Sequence, residues 1–181
     1  KGSCFWFRIP FATADTLPLL ERRSFQRANA NRLPPEERKN AKDVKILLAE
    51  DHALNQAFMR KLLERMGIGE FDLIENGELL LASVNEKPYD LILMDCHMPV
   101  MSGYDATKEI RNREKVSKKR IPIIAMTADA MLGTRERCIS AGMDEYISKP
   151  INQDELRYIM SRWITFSGEG DDKVGHDSAY L

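Results

Sequence analysis

Leu91-Ile92-Leu93-Met94-Asp95 is a run of apolar residues closed by an acid. It is too short for a buried helix and lacks the alternation of a strand with one wet face, so it reads as a strand covered on both sides. Val44-Lys45-Ile46-Leu47-Leu48-Ala49 has the same character and is also followed by acids, Glu50 and Asp51. Two such strands in one short chain point to a parallel sheet with helices on both faces.

The stretches between them supply the helices. Leu54, Phe58, Leu62 and Met66, with Leu63 beside them, have helical spacing and stop before Gly67. Phe71–Glu75 reads as a brief strand, followed by Asn76-Gly77 and a helix through Val84. After residue 95 come a helix over Tyr104–Arg113, a strand over Ile121–Met126, a helix over Met131–Ala141, a strand Tyr146-Ile147-Ser148 and a last helix Gln153–Trp163. Strands and helices alternate throughout, so the expected fold is α/β, a doubly wound five-stranded parallel sheet with five helices. With right-handed crossovers the natural strand order at this size is 2-1-3-4-5, a flavodoxin-like arrangement.

In such sheets ligands sit outside the carboxyl ends of the strands, at the switch point. The first strand ends in Glu50-Asp51, the third in Asp95, the fourth in Thr127 and the fifth in Lys149-Pro150. Taken singly, each has an ordinary reading: a solvated acidic loop, helix caps at Asp95 and Thr127, a surface charge at Lys149. The expected order makes these strands neighbours, so their polar ends converge on one rim. Three carboxylates together repel, and a hard divalent cation with oxygen ligands, Mg²⁺, is the usual remedy. A carboxylate beside that cation can attack phosphorus, while a lysine and a threonine hydroxyl hold other phosphoryl oxygens.

The 181 residues are 43% hydrophobic and 30% charged with a net charge of -1. That suffices for one well-buried domain plus extensions. A near-zero charge offers no general field for nucleic acid or an anionic membrane, so no nucleic-acid partner and no direct membrane contact are expected. No apolar run approaches the roughly 20 residues of a bilayer span. Cys4, Cys96 and Cys138 lack CxxC spacing and read as reduced thiols of a cytoplasmic protein, two of them core filler. A chain that begins at Lys1 reads as a piece of something longer, whose parent can be membrane-anchored.

Four stretches, ILLAEDHALNQ, LILMDCHMPVMSGYDAT, PIIAMTADA and GMDEYISKP, resemble the receiver domains of response regulators over about 120 residues. The resemblance implies that Asp95 is the phosphoacceptor in a two-component phosphorelay. It makes Asp51 a direct Mg²⁺ ligand, Glu50 a ligand through water, and the backbone carbonyl of His97 the remaining protein ligand. Lys149 would contact the phosphoryl group, Thr127 and Tyr146 would form the switch pair, and Pro150 would follow a bond that is often cis. His52 and His97 depart from the usual pattern. His97 would face the mouth of the site and bear on the rate of phosphoryl loss.

These stretches look like receivers fused to histidine kinases, and Lys1–Phe11, KGSCFWFRIPF, resembles the closing strand of a kinase ATP-binding domain. The implied division is a remnant of that domain over 1–11, a linker over 12–43, the receiver over 44–166 and a disordered tail over 167–181. Leu17–Leu33 has some amphipathic helical spacing within the linker. The aromatics Phe5, Trp6 and Phe7 could promote association. Expected partners are a histidine kinase dimerisation domain, a histidine phosphotransfer domain, or both. The fragment would catalyse its own phosphorylation and dephosphorylation without kinase activity, because no ATP-lid glycines or kinase His motif are present. The alternatives are a stand-alone response regulator and an aspartyl phosphatase of the haloacid dehalogenase kind. The latter chemistry wants a second Asp two residues after the nucleophile, where this chain has His97.

Overall fold

The computed structural model describes residues 33–117, 119–128 and 133–166. All the described residues belong to one compact unit. The readings for residues 1–32, the tail 167–181 and the start of the helix expected at Met131 lie outside the described residues.

Five strands form one sheet: β1 Lys45–Ala49, β2 Glu70–Ile74, β3 Leu91–Asp95, β4 Ile123–Thr127 and β5 Glu145–Ser148. Every pairing is parallel, and the order is β2-β1-β3-β4-β5, as expected from the alternation. The helices are α1 Ala53–Arg65, α2 Gly77–Glu86, α3 Gly103–Ser117, α4 Thr134–Ala141 and α5 Gln153–Met160. Local chemistry starts two of them. The Asn76 side chain accepts from the Leu79 amide at the head of α2, and Asn152 accepts from Asp154 and Glu155 at the head of α5.

The continuous apolar strands are explained by burial on both sides. Ile46, Leu48, Leu91, Leu93, Ile124, Met126 and Ile147 pack with Leu62 and Leu63 of α1 and Leu156, Ile159 and Met160 of α5. The intervening residues Leu47, Ala49, Ile92, Met94, Ile123 and Ala125 point the other way, onto Leu80, Ala106, Ile110 and Cys138. Each such Leu or Ile contributes on the order of 2–3 kcal/mol by leaving water.

The helix expected from the spacing of Leu54, Phe58, Leu62 and Met66 is present, and only part of that stripe is buried. Leu54 and Phe58 are 72% and 49% exposed, whereas Met59, Leu62, Leu63 and Met66 are buried. At 3.6 residues per turn, Leu54 and Phe58 lie a quarter turn or more round α1 from the face that meets the sheet.

Residues 33–43, the end of the expected linker, pack on the domain. The Leu33 amide donates to the Arg162 carbonyl, and Arg38 donates to the carbonyls of Leu33 and Ser161. Lys39–Asn40 forms a short parallel ladder with Ile164–Thr165. Ala41 is buried, and a Cβ on Gly69 would collide with the Lys42 backbone. The apolar Leu33 and Ala41 join the cluster under α5, which a solvated linker would leave uncovered.

Candidate functional site

The sheet order brings the acidic ends of β1 and β3 side by side. Ala49 pairs with Met94, so Glu50 and Asp51 leave β1 next to Asp95. Asp95 in turn pairs with Met126, and Thr127 with Ser148, which places Thr127 and Lys149 on the far flank. One carboxylate oxygen from each of Glu50, Asp51 and Asp95 lies within 4.8 Å of the others. Glu50 and Asp95 are buried and Asp51 is exposed at the mouth.

Lys149 reaches across this cluster. Its Nζ donates to Asp95 Oδ2 at 2.5 Å and to Glu50 Oε2 at 2.6 Å. Burial disfavours the ammonium, but the hydrogen bonds and charges of Asp95 and Glu50 outweigh it and hold the pKa above the ordinary lysine value. The lysine therefore stays charged through the neutral range, and its single positive charge is shared between two of the three carboxylates. Its backbone amide donates to the Thr127 carbonyl at 2.7 Å, which ties β5 to β4 at the rim. The Lys149-Pro150 bond is cis.

The remaining oxygens are oriented by neighbours. The His97 amide donates to Asp95 Oδ1 at 3.0 Å. Asn55 Nδ2 donates to Glu50 Oε1 at 2.7 Å, and Gln56 Nε2 to the Glu50 carbonyl at 2.6 Å. Asn55 and Gln56 were not singled out by the rim argument, which considered strand ends only. Their signal was available one turn into α1, where side chains lean back toward the helix N-terminus and hence toward the end of β1. Gly103 was missed too. A Cβ there would collide with the Asp95 carbonyl, so only glycine lets α3 start against the end of β3.

The other expected residues sit around this core. Thr127 is fully buried at the end of β4. Tyr146 lies within β5 opposite Ala125 and packs half-buried on the α3–α4 side. The His97 side chain is exposed, with its ring edge-on to Tyr104 at 5.9 Å. His52 precedes α1 without capping it through its side chain.

Glu50, Asp51 and Asp95 offer an anionic, all-oxygen donor set, which fits Mg²⁺ and suits no soft metal. With Asp51 open to solvent, such an ion would keep several waters.

Residues 46–161 match the family model described as the response regulator receiver domain. The chain belongs to that family, the phosphoryl-accepting modules of two-component signalling. It is 42% identical over 125 residues to hybrid signal transduction histidine kinase G of Dictyostelium discoideum, a match covering 68% of this chain and 4% of that protein. The chain thus spans only a small part of that relative. Among solved structures it resembles the receiver domain of sensor histidine kinase PA1611 from Pseudomonas aeruginosa PAO1, crystallised with a magnesium ion coordinated in the active site cleft. That match has 43% identity and a TM-score of 0.60, covering 66% of this chain and 96% of the other. It also matches a chain in the co-crystal structure of the Saccharomyces cerevisiae histidine phosphotransfer protein Ypd1 and the receiver domain of Ssk1. There the identity is 29% and the TM-score 0.62, with coverage of 69% and 91%.

Proposed function

We propose that Asp95 accepts a phosphoryl group from a phosphohistidine in a Mg²⁺-dependent reaction. The observation that carries this reading is the convergence of three carboxylates within 4.8 Å, with Lys149 spanning two of them. Asp95 Oδ attacks phosphorus, the bond to the donor nitrogen breaks, and an acyl phosphate results. Asp51, Asp95 and the His97 carbonyl, with Glu50 through water, would hold Mg²⁺, which would supply neutralisation of charge on the phosphoryl oxygens. Lys149 takes one of those oxygens as a point charge and Thr127 donates to another, while Tyr146 turns inward as the second member of the switch. Mass spectrometry after incubation with acetyl phosphate and Mg²⁺ should place one phosphoryl group on the peptide containing Asp95. A label mapped to any other residue rejects the assignment.

Asp51→Ala removes the carboxylate most open to the metal while leaving the buried pair and Lys149 in place. We expect Mg²⁺ affinity to fall at least about tenfold. Titration with unchanged affinity removes Asp51 from the ligand set.

The parent of this reading is a cytoplasmic hybrid histidine kinase, with residues 1–11 from the end of its ATP-binding domain and 12–43 as the connection to the receiver. The phosphodonor is the histidine of its dimerisation domain or of a phosphotransfer domain. Leu54 and Phe58 on α1 and Val100 in the loop after Asp95 support a protein donor, because they leave exposed apolar side chains on the segments that border the acidic cluster. Phe58→Asp should slow transfer from a phosphohistidine protein about tenfold, yet leave labelling by acetyl phosphate unchanged. Equal loss with both donors would mean that Phe58 acts on the site and not on docking.

A further inference from the structure

Cys96 and Cys138 are separated by 42 residues in sequence, yet their sulfurs lie 3.9 Å apart in the packed layer under α3 and α4. Both are fully buried and neither is in a disulfide. Their position is not neutral ground. Cys96 follows Asp95 directly, its amide donates to the Met126 carbonyl one residue before Thr127, and its own carbonyl accepts from Gly103 at the head of α3. Cys138 lies in α4, the helix that follows Thr127 along the chain.

The Tyr104 hydroxyl is buried beside the two sulfurs, which are the groups it faces. The Arg137 guanidinium stacks over the same ring at 5.1 Å, and His97 meets its edge.

We propose that Cys96 and Cys138 are a peroxide-responsive thiol pair whose disulfide fastens the acceptor loop to α4 and slows phosphorylation of the domain. The second half rests on the reading of Asp95 as acceptor; the first does not. The Cys138 thiol is held below its ordinary pKa, first by the hydrogen bond from Cys96, against burial, with the Arg137 charge adding to the effect. Cys138, next in the chain to the Arg137 guanidinium that stacks over Tyr104, is the sulfur that attacks. Its thiolate takes the near oxygen of hydrogen peroxide, the O–O bond breaks, and the hydroxide leaves as water with a proton donated through Tyr104. Cys96 then attacks the Cys138 sulfenic acid. The S–S bond forms, the S–O bond breaks, and the Cys96 proton departs with the hydroxide as a second water. Two thiols lose two electrons and two protons, and peroxide is reduced to two waters.

Access to the buried pair requires the start of α4 to open. Gly133, the N-cap residue of α4, has φ +99° and provides no side-chain cap, so the first turn is the end of the helix that opens. Closing the sulfurs from 3.9 Å to a bond of about 2.0 Å draws α4 toward the end of β3. That movement displaces the Tyr104 ring and stiffens the β3–α3 and β4–α4 junctions, which must adjust around an incoming phosphoryl group.

The test uses the full chain with Cys4→Ser, so that the pair holds the remaining thiols. Hydrogen peroxide should remove two hydrogen masses and link the peptides containing residues 96 and 138, and dithiothreitol should reverse this. Tyr104→Phe should slow the reaction severalfold. Oxygen added to one sulfur without a link, or no reaction under conditions that leave the circular dichroism unchanged, overturns the thiol pair. The oxidised protein should then label from acetyl phosphate and Mg²⁺ about tenfold more slowly than the reduced protein. Adding Cys138→Ser should make labelling insensitive to peroxide. Equal rates for oxidised and reduced protein overturn the coupling. If the reduced protein takes no label at all, the acceptor reading fails while the disulfide stands on its masses.

Discussion

Asp95→Asn protein incubated with acetyl phosphate and Mg²⁺ should carry label at background only, with its circular dichroism unchanged. The amide keeps the shape of the side chain and can still accept from the His97 amide, so the β3 end stays in place. It loses two things together. The anionic nucleophile disappears, and an NH₂ group replaces the oxygen that Lys149 now holds at 2.5 Å, setting donor against donor. Lys149 then rests on Glu50 alone. Removing one of three crowded carboxylates also relieves repulsion, so unfolding in urea should shift little in either direction. The chemistry and the fold therefore separate in one variant. Stable label on this protein would remove Asp95 from the role of acceptor.

The largest loss of stability is expected away from that rim. The Asp144 side chain is 1% exposed and accepts from Arg111 Nη2 at 2.7 Å, Arg120 Nη2 at 2.7 Å and the Ile123 amide at 2.9 Å. It thereby clamps α3, the segment before β4 and the start of β5. Arg111 is itself 11% exposed and also donates to the Gly142 and Ile121 carbonyls, so it cannot swing out to water without breaking those bonds. Asp144→Ala leaves that charge without its deepest partner and orphans the Ile123 amide. The expected cost is about 3–5 kcal/mol, read as a fall in the urea midpoint at unchanged slope. Labelling of the folded fraction should persist, since the clamp lies at the opposite ends of the strands from Asp95. A loss below about 1 kcal/mol would mean that Arg111 finds adequate partners in Glu114 and the two carbonyls.

The two variants probe different kinds of information. Asp95 was legible because a parallel, doubly buried strand announces itself as a short apolar run, and the residue that ends the run must emerge at the carboxyl rim. The same logic found Glu50, Asp51, Thr127 and Lys149. Asp144 sits in a Gly-Met-Asp-Glu stretch before β5 with nothing local to distinguish it from a solvated turn. Its partners come from positions 111, 120 and 123, and only folding assembles them.

The sequence by itself determined the alternation of strands and helices, the strand order, and the acids on the rim. These follow from periods of two and 3.6 residues and from the handedness of crossovers, which are local rules applied to consecutive residues. Tertiary structure decided the rest. It turned Leu54 and Phe58 outward although their spacing suits a helix core, because spacing defines a stripe but not which stripe meets the sheet. It folded residues 33–43 under α5, set Asn55 against Glu50, required glycine at 103, and placed two cysteines 42 residues apart within contact of each other. Each of these depends on the distance between elements remote in sequence, and that distance is set by the packing of the whole sheet against its two helical layers.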